Sequence, residues 1–97
     1  MKELKETTKL MTSTDYKERF VAEYWQTKIR YEKLKAFNTK IEAAQRVRFS
    51  EVENKLKEPI HDCPADILIE QQHILGEYLH ILEIRAVIEG IDLGSYE

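Results

Sequence analysis

Two prolines divide the chain into two helical halves, and the second half repeats every seven residues. Pro59 and Pro64 both lack a backbone N–H, so no regular helix runs through the segment between them. After Pro64, isoleucine recurs at a spacing of seven residues, at Ile67, Ile74, Ile81 and Ile88. This spacing keeps one residue type on one side of an α-helix. We therefore predict one long helix over residues 64–89 that packs along an apolar face.

The apolar arc of this helix is wider than one neighbouring helix covers. We predict a seam between helices or subunits whose residues follow each other at spacings of three and four, with Ile67 next to its first member. Its residues are Ile67, Leu68, Gln71, Leu75, Tyr78, Leu82 and Arg85. Polar groups on such a seam are costly unless they are paired. Gln71, Tyr78 and Arg85 therefore either set the register between helices or subunits, or line a ligand pocket where Arg85 holds an anion. The uncovered arc predicts a homo-oligomer, either a dimer or a larger assembly.

A first long helix is predicted before the prolines, because no glycine and no proline precedes Pro59. We place it at residues 15–44, with Asp15 as the N-cap and Glu18 returning the bond in a capping box. A continuation or a short third helix is predicted at 50–57, and the turn at 58–63.

Residues 1–13 are rich in Lys and Thr and are predicted to be a flexible leader, so translation could start at Met1 or at Met11. Residues 14–97 are predicted to form a single helical domain. The predicted fold is all-α, a long antiparallel helical hairpin that oligomerisation completes, because so short a chain buries little surface alone.

Charge is distributed unevenly along the chain. Residues 1–58 carry fourteen Lys and Arg against ten Asp and Glu, whereas residues 59–97 carry Arg85 alone against eight acids. The basic residues of the first half alternate with acids around the helix, so duplex nucleic acid is not an expected partner. The charged N-terminus, the lone Cys63 and apolar runs of at most three residues predict a cytoplasmic protein without a membrane span.

No combination of residues predicts catalysis, a cofactor or a metal site. His73, Glu77 and His80 share one helical face, but a di-iron bundle needs this motif on two helices, and the first helix has no histidine. His61 and Cys63 lie in the turn without a group that orients them. We predict a protein that is not an enzyme. Five residues are candidate ligand contacts: Tyr24, Trp25, Gln71, Tyr78 and Arg85.

The segments DYKERFVAEYWQTKIRYEKLKAF and DCPADILIEQQHILGEYLHILEIRAVIEGI resemble small uncharacterised phage and prophage proteins related to a crAss-like phage protein. The resemblance covers residues 15–91 and departs from the family in a longer linker over 44–60. It rests on helical positions in both halves: Arg19, Glu23, Leu34, Phe37, Leu68, Gln71, Tyr78, Leu82 and Arg85. It implies a phage accessory protein and no catalytic residues.

Three functions agree with these features. The first is a phage accessory protein in the host bacterial cytosol that binds and inhibits a host defence protein, as anti-CRISPR proteins do. The second is an oligomeric sponge that sequesters a small anionic nucleotide signal. The third is a structural or assembly protein of the virion.

Overall fold

The computed structural model describes residues 1–49 and 56–94, and all regular structure within them is helical. A 3₁₀ turn at Leu4–Thr7 leads into the short helix α1 at Thr8–Met11. The two long helices are α2 at Tyr16–Arg46 and α3 at Ala65–Glu89. They pack against each other in antiparallel directions, so the prediction of an all-α helical hairpin is confirmed.

The N-terminus of α2 is capped by Asp15, but the capping box differs from the predicted one. The Asp15 carboxylate accepts a hydrogen bond from the Lys17 N–H at 2.9 Å. The hydroxyl of Ser13, and not the Glu18 carboxylate, accepts the Asp15 N–H at 3.0 Å. The same hydroxyl donates to Glu18 at 3.0 Å. Because a hydroxyl is both donor and acceptor, Ser13 links the two groups that we expected to bond directly.

A continuation of the first helix or a short third helix is predicted at 50–57, in the segment between the long helices. Residues 50–55 of that prediction lie outside the described part of the chain, and residues 56 and 57 are not helical. Helix α2 extends two residues beyond the predicted end at position 44. Pro64 is the N-cap of α3 with φ −55° and ψ 141°, so the helix starts one residue after the position predicted for it.

The N-terminal residues, predicted to be a flexible leader, instead pack against α2. Thr7 is only 1% exposed, and its hydroxyl accepts a hydrogen bond from the Gln26 side chain at 2.9 Å. Met1 and Leu10 lie against the core cluster that contains Trp25. Polar composition alone suggested a leader, but Met1 and Leu10 supply apolar side chains that pack against the core.

The core between the long helices uses one row of α3. Leu79, Leu82 and Ala86 are buried there against α2. Further along the helix, the buried Asn38 side chain donates to the carbonyl oxygen of Leu68 and to the Gln72 side chain, both at 3.0 Å. The row facing α2 therefore includes Gln72, Leu79 and Ala86, each one position after a polar residue of the predicted seam.

Gly90 ends α3 in the left-handed conformation with φ 68°, and the N–H of the next residue, Ile91, donates to Ala86 O at 2.8 Å. A side chain at this φ meets the adjacent carbonyl oxygen, so Gly90→Ala is expected to lower the free energy of unfolding by about 1 kcal/mol. Urea denaturation followed by circular dichroism measures this change. Gly94→Ala is the matched control, because Gly94 does not have positive φ. Equal losses in the two variants would contradict the role assigned to Gly90.

Candidate interface on helix α3

The outward side of α3 presents a row of isoleucines to solvent, which we call the isoleucine row. The exposed fractions of Ile67, Ile74 and Ile81 are 51%, 57% and 53%, and that of Ile88 is 77%. Large apolar side chains in soluble proteins are usually more buried than this. A regular row of exposed isoleucines makes this side of α3 a candidate contact surface for another molecule.

Tyr78 lies beside the isoleucine row, on the edge of α3 that is nearer to α2. Its side chain is 42% exposed, and its hydroxyl donates to the Glu23 carboxylate at 2.8 Å. This hydrogen bond to a negative charge raises the pKa of Tyr78. The structure thus brings together Glu23 of α2 and Tyr78 of α3.

Arg85 lies on the same edge, one heptad further along, and its guanidinium carbon is 4.8 Å from the centroid of the Phe20 ring. Its Nε donates to the Glu89 carboxylate at 2.8 Å, and the Tyr16 hydroxyl donates to the other oxygen of Glu89 at 3.2 Å. The hydrogen bond with Glu89 raises the pKa of Arg85 and lowers the pKa of Glu89. We call Tyr16, Phe20, Tyr78, Arg85 and Glu89 the Arg85 cluster.

The guanidinium of Arg85 has N–H donors that form no hydrogen bond within the described part of the chain. Within the described part of the chain, only its Nε makes a hydrogen bond, while the Nη atoms have no partner. The side chain is 48% exposed. Two parallel N–H groups with this freedom match the oxygens of a carboxylate or a phosphate.

The charge around the Arg85 cluster is mixed. Glu23 and Glu89 supply two carboxylates for one guanidinium, which opposes binding of an anion by the isolated chain. Arg19 lies one helical turn before Glu23 on α2, and Arg30 lies two turns after it, so both project from the same side. Because the carboxylates of Glu23 and Glu89 offset the charge of Arg85, an anion needs further positive or polar groups in order to bind there.

Tyr24 and Trp25, two other candidate ligand contacts, lie away from this edge. The Tyr24 hydroxyl donates to Glu83 at 3.2 Å on the opposite edge of α3. Trp25 is 5% exposed under the N-terminal segment, and its ring packs edge-on against Tyr24 at 5.3 Å. The five candidate residues therefore do not form one site. Gln71, Tyr78 and Arg85 are exposed at heptad spacing along one edge of α3, whereas Tyr24 and Trp25 lie elsewhere.

Sequence reasoning did not select Tyr16, Phe20 or Glu89 for this site. Their spacing contained part of the signal, because Tyr16 and Phe20 are four residues apart on α2, as Arg85 and Glu89 are on α3. The antiparallel alignment that joins the two pairs could not be read from that spacing.

A family model named Sequestin matches residues 14–88. The chain belongs to the Sequestin family. No curated protein and no solved structure matches the chain. The matched range of this Sequestin chain includes α2 and all of α3 except its last residue, and the name indicates a protein that binds and sequesters another molecule.

The other edge of α3 in this Sequestin chain carries His73 and His80, which the sequence places on one helical face with Glu77. A groove of about 740 Å³ is lined there by Tyr31, His73, Gly76, Glu77, His80 and Ile81. In the described residues, no three His, Cys, Asp or Glu side chains are placed to hold a metal ion together. A Cβ on Gly76 would lie 3.2 Å from the Tyr31 ring, so this glycine admits a side chain of α2. The described helices also include none that is long and apolar enough to cross a membrane.

The turn before α3 is held by His61. Its Nδ1 lies 2.7 Å from the Cys63 carbonyl oxygen, and its Nε2 lies 3.2 Å from the Glu58 carboxylate. The hydrogen bonds with Cys63 and Glu58 raise the pKa of His61 above its ordinary value of 6.5. The bond with His61, helped by Gln45 and Arg48, lowers the pKa of Glu58. His61 thus faces the carbonyl of Cys63, and its role is structural.

This arrangement predicts a stability that falls as pH rises. The folded state favours protonated His61, so its stabilising effect is complete below pH 6.5 and is lost as pH rises through the higher pKa of the folded protein. We expect the urea midpoint to decrease between about pH 6 and pH 8. His61→Gln is the control and should remove most of this decrease. A midpoint with the same pH dependence in both proteins would contradict the assignment.

Proposed function

We propose that this protein is a non-enzymatic phage accessory protein that sequesters a small anionic nucleotide signal of host defence in the bacterial cytosol. The observation that carries the proposal is the exposed guanidinium of Arg85, which lies over the Phe20 ring and whose Nη donors form no hydrogen bond with the residues that the structure describes. The family name adds support, because sequestering requires binding without chemistry. The resemblance to small phage proteins supports a role as a phage accessory protein in an infected bacterium.

Arg85, Tyr16 and Tyr78 of the Arg85 cluster, together with Gln71, have roles in such a complex. The Nη donors of Arg85 bind a phosphate through two parallel hydrogen bonds. Tyr16 and Tyr78 are 47% and 42% exposed, so their rings offer surfaces on which a base can stack. Such stacking contributes about 1 to 3 kcal/mol per base. The side-chain amide of Gln71, also exposed on α3, can pair with polar edges of a base.

The test is isothermal titration calorimetry of the full chain with a panel of cyclic mononucleotides, dinucleotides and trinucleotides, and with inorganic phosphate. We expect one member of the nucleotide panel to bind with a defined stoichiometry and to be recovered chemically unchanged after denaturation of the protein. Phosphate alone should bind much more weakly, because it cannot stack. No heat from any nucleotide would overturn the proposal, as would recovery of a converted product.

Inhibition of a host defence protein is the second candidate function. Two observations favour it. Residues 59–97 are acidic, with one Arg and no Lys against eight Asp and Glu, and the isoleucine row on α3 is exposed. An acidic apolar surface suits a basic protein partner. Affinity purification from bacterial lysate, analysed by mass spectrometry, tests this candidate. A specific partner that an Ile74→Asp variant no longer retains would favour it over the nucleotide proposal.

A further inference from the structure

The exposed side of α3 is itself a complete heptad seam, separate from the one that faces α2. Reading along the helix, it alternates by four and three residues through Ile67, Gln71, Ile74, Tyr78, Ile81, Arg85 and Ile88. All of its members are exposed. The seam spans about 32 Å of helix at 1.5 Å per residue. A partner that covers it needs an equally long apolar helix with the same period.

A second copy of this chain supplies such a helix, and the polar positions favour an antiparallel pairing. In an antiparallel pair the two-fold axis crosses the helices at their midpoint, so residues equally distant from that point face each other across the interface. With the axis near Tyr78, Gln71 of one copy faces Arg85 of the other. The isoleucines then meet as Ile67 with Ile88 and Ile74 with Ile81.

This pairing provides a hydrogen-bond partner for the Nη atoms of Arg85, which have none among the described residues. The Nη atoms of Arg85 gain the side-chain oxygen of Gln71, and polar groups on the seam meet each other rather than isoleucine. A parallel pair would instead place Gln71 against Gln71 and Arg85 against Arg85, so that like charges meet. Polar complementarity therefore selects both the orientation and the register.

We infer that two copies of this chain pair antiparallel along the outward seam of α3, so that Gln71 of one copy and Arg85 of the other form each ligand site. The site for the anionic nucleotide rests on the proposed function, whereas the pairing does not. Each dimer then has two equivalent sites, one on each side of the two-fold axis and each about one heptad from Tyr78. The second copy contributes the polar group that the Arg85 cluster lacks in a single chain.

Cross-linking tests the orientation in the full chain with Cys63→Ser as background. Gln71→Cys and Arg85→Cys proteins are prepared separately, then oxidised alone and as a mixture. We expect a disulfide-linked dimer in the mixture and little from either protein alone. Efficient cross-linking of each protein with itself would overturn the antiparallel pairing. No cross-link in any sample would overturn the pairing along this seam.

Light scattering tests the surface independently. Ile81→Asp should reduce the measured mass to that of one chain, whereas Val87→Asp should leave it unchanged, because Val87 is 84% exposed but lies off the seam. Circular dichroism establishes that both variants are helical. A wild-type mass of one chain at micromolar concentration would overturn the inference. Dimers that bind no nucleotide would refute the proposed function alone, and a monomer that binds one would refute the pairing alone.

Discussion

Replacing Leu82 by alanine is expected to lower the free energy of unfolding by about 2 to 5 kcal/mol, the usual cost of deleting a buried leucine side chain. Leu82 is 1% exposed and belongs to the core cluster between α2 and α3. A domain of this size has about 5 to 15 kcal/mol of stability in total, so the variant loses a large share of it. Urea denaturation followed by circular dichroism measures the loss.

Val87→Ala is the matched control for this prediction, because Val87 is on the same helix but is 84% exposed. Its unfolding free energy should stay within about 0.5 kcal/mol of the original. If the two variants were equally destabilised, or if Leu82→Ala had no effect, the row of α3 assigned to the core would be wrong. Leu82 would then not contact α2 in solution.

Replacing Arg85 by glutamine is expected to weaken nucleotide binding by about ten- to a hundredfold. A hydrogen bond to a charged group contributes about 1.5 to 3 kcal/mol, and each 1.4 kcal/mol is a tenfold change in affinity. The Nη donors of Arg85 have no partner among the described residues, so a bound phosphate would be their main acceptor. Calorimetry with the nucleotide identified in the panel measures the change.

Arg46→Gln is the matched control, because Arg46 also forms an exposed pair with a glutamate four residues away, at 3.2 Å from Glu42. It lies at the far end of α2 and should leave the affinity unchanged. Arg85→Lys should recover only part of the affinity, because a lysine binds phosphate as a point charge without the paired donors. Equal losses of affinity in Arg85→Gln and Arg46→Gln would show that only net charge matters, which would contradict the assignment of Arg85 as the phosphate-binding residue.

The positions of the helices could be predicted from the sequence because their signals are local. Pro64 and Gly90 mark the two ends of α3 through their own backbone restrictions, and Asp15 caps α2 with its own side chain. The sevenfold repeat likewise showed that α3 has more apolar surface than one helix covers. These features depend on neighbours in the chain and do not require knowledge of the tertiary fold.

Only the tertiary structure decided which row of α3 faces α2. The residues one position apart on a helix are rotated by about 100°, and two such rows of α3 both have heptad spacing. The choice depends on contacts between distant residues: Asn38 with Gln72, and the Tyr31 ring against Gly76. These contacts leave Tyr78 and Arg85 on the outside, beside Glu23 and Phe20 of α2. The repeat by itself predicted more apolar surface on α3 than one neighbouring helix covers, and packing against α2 determined which part of that surface stays exposed.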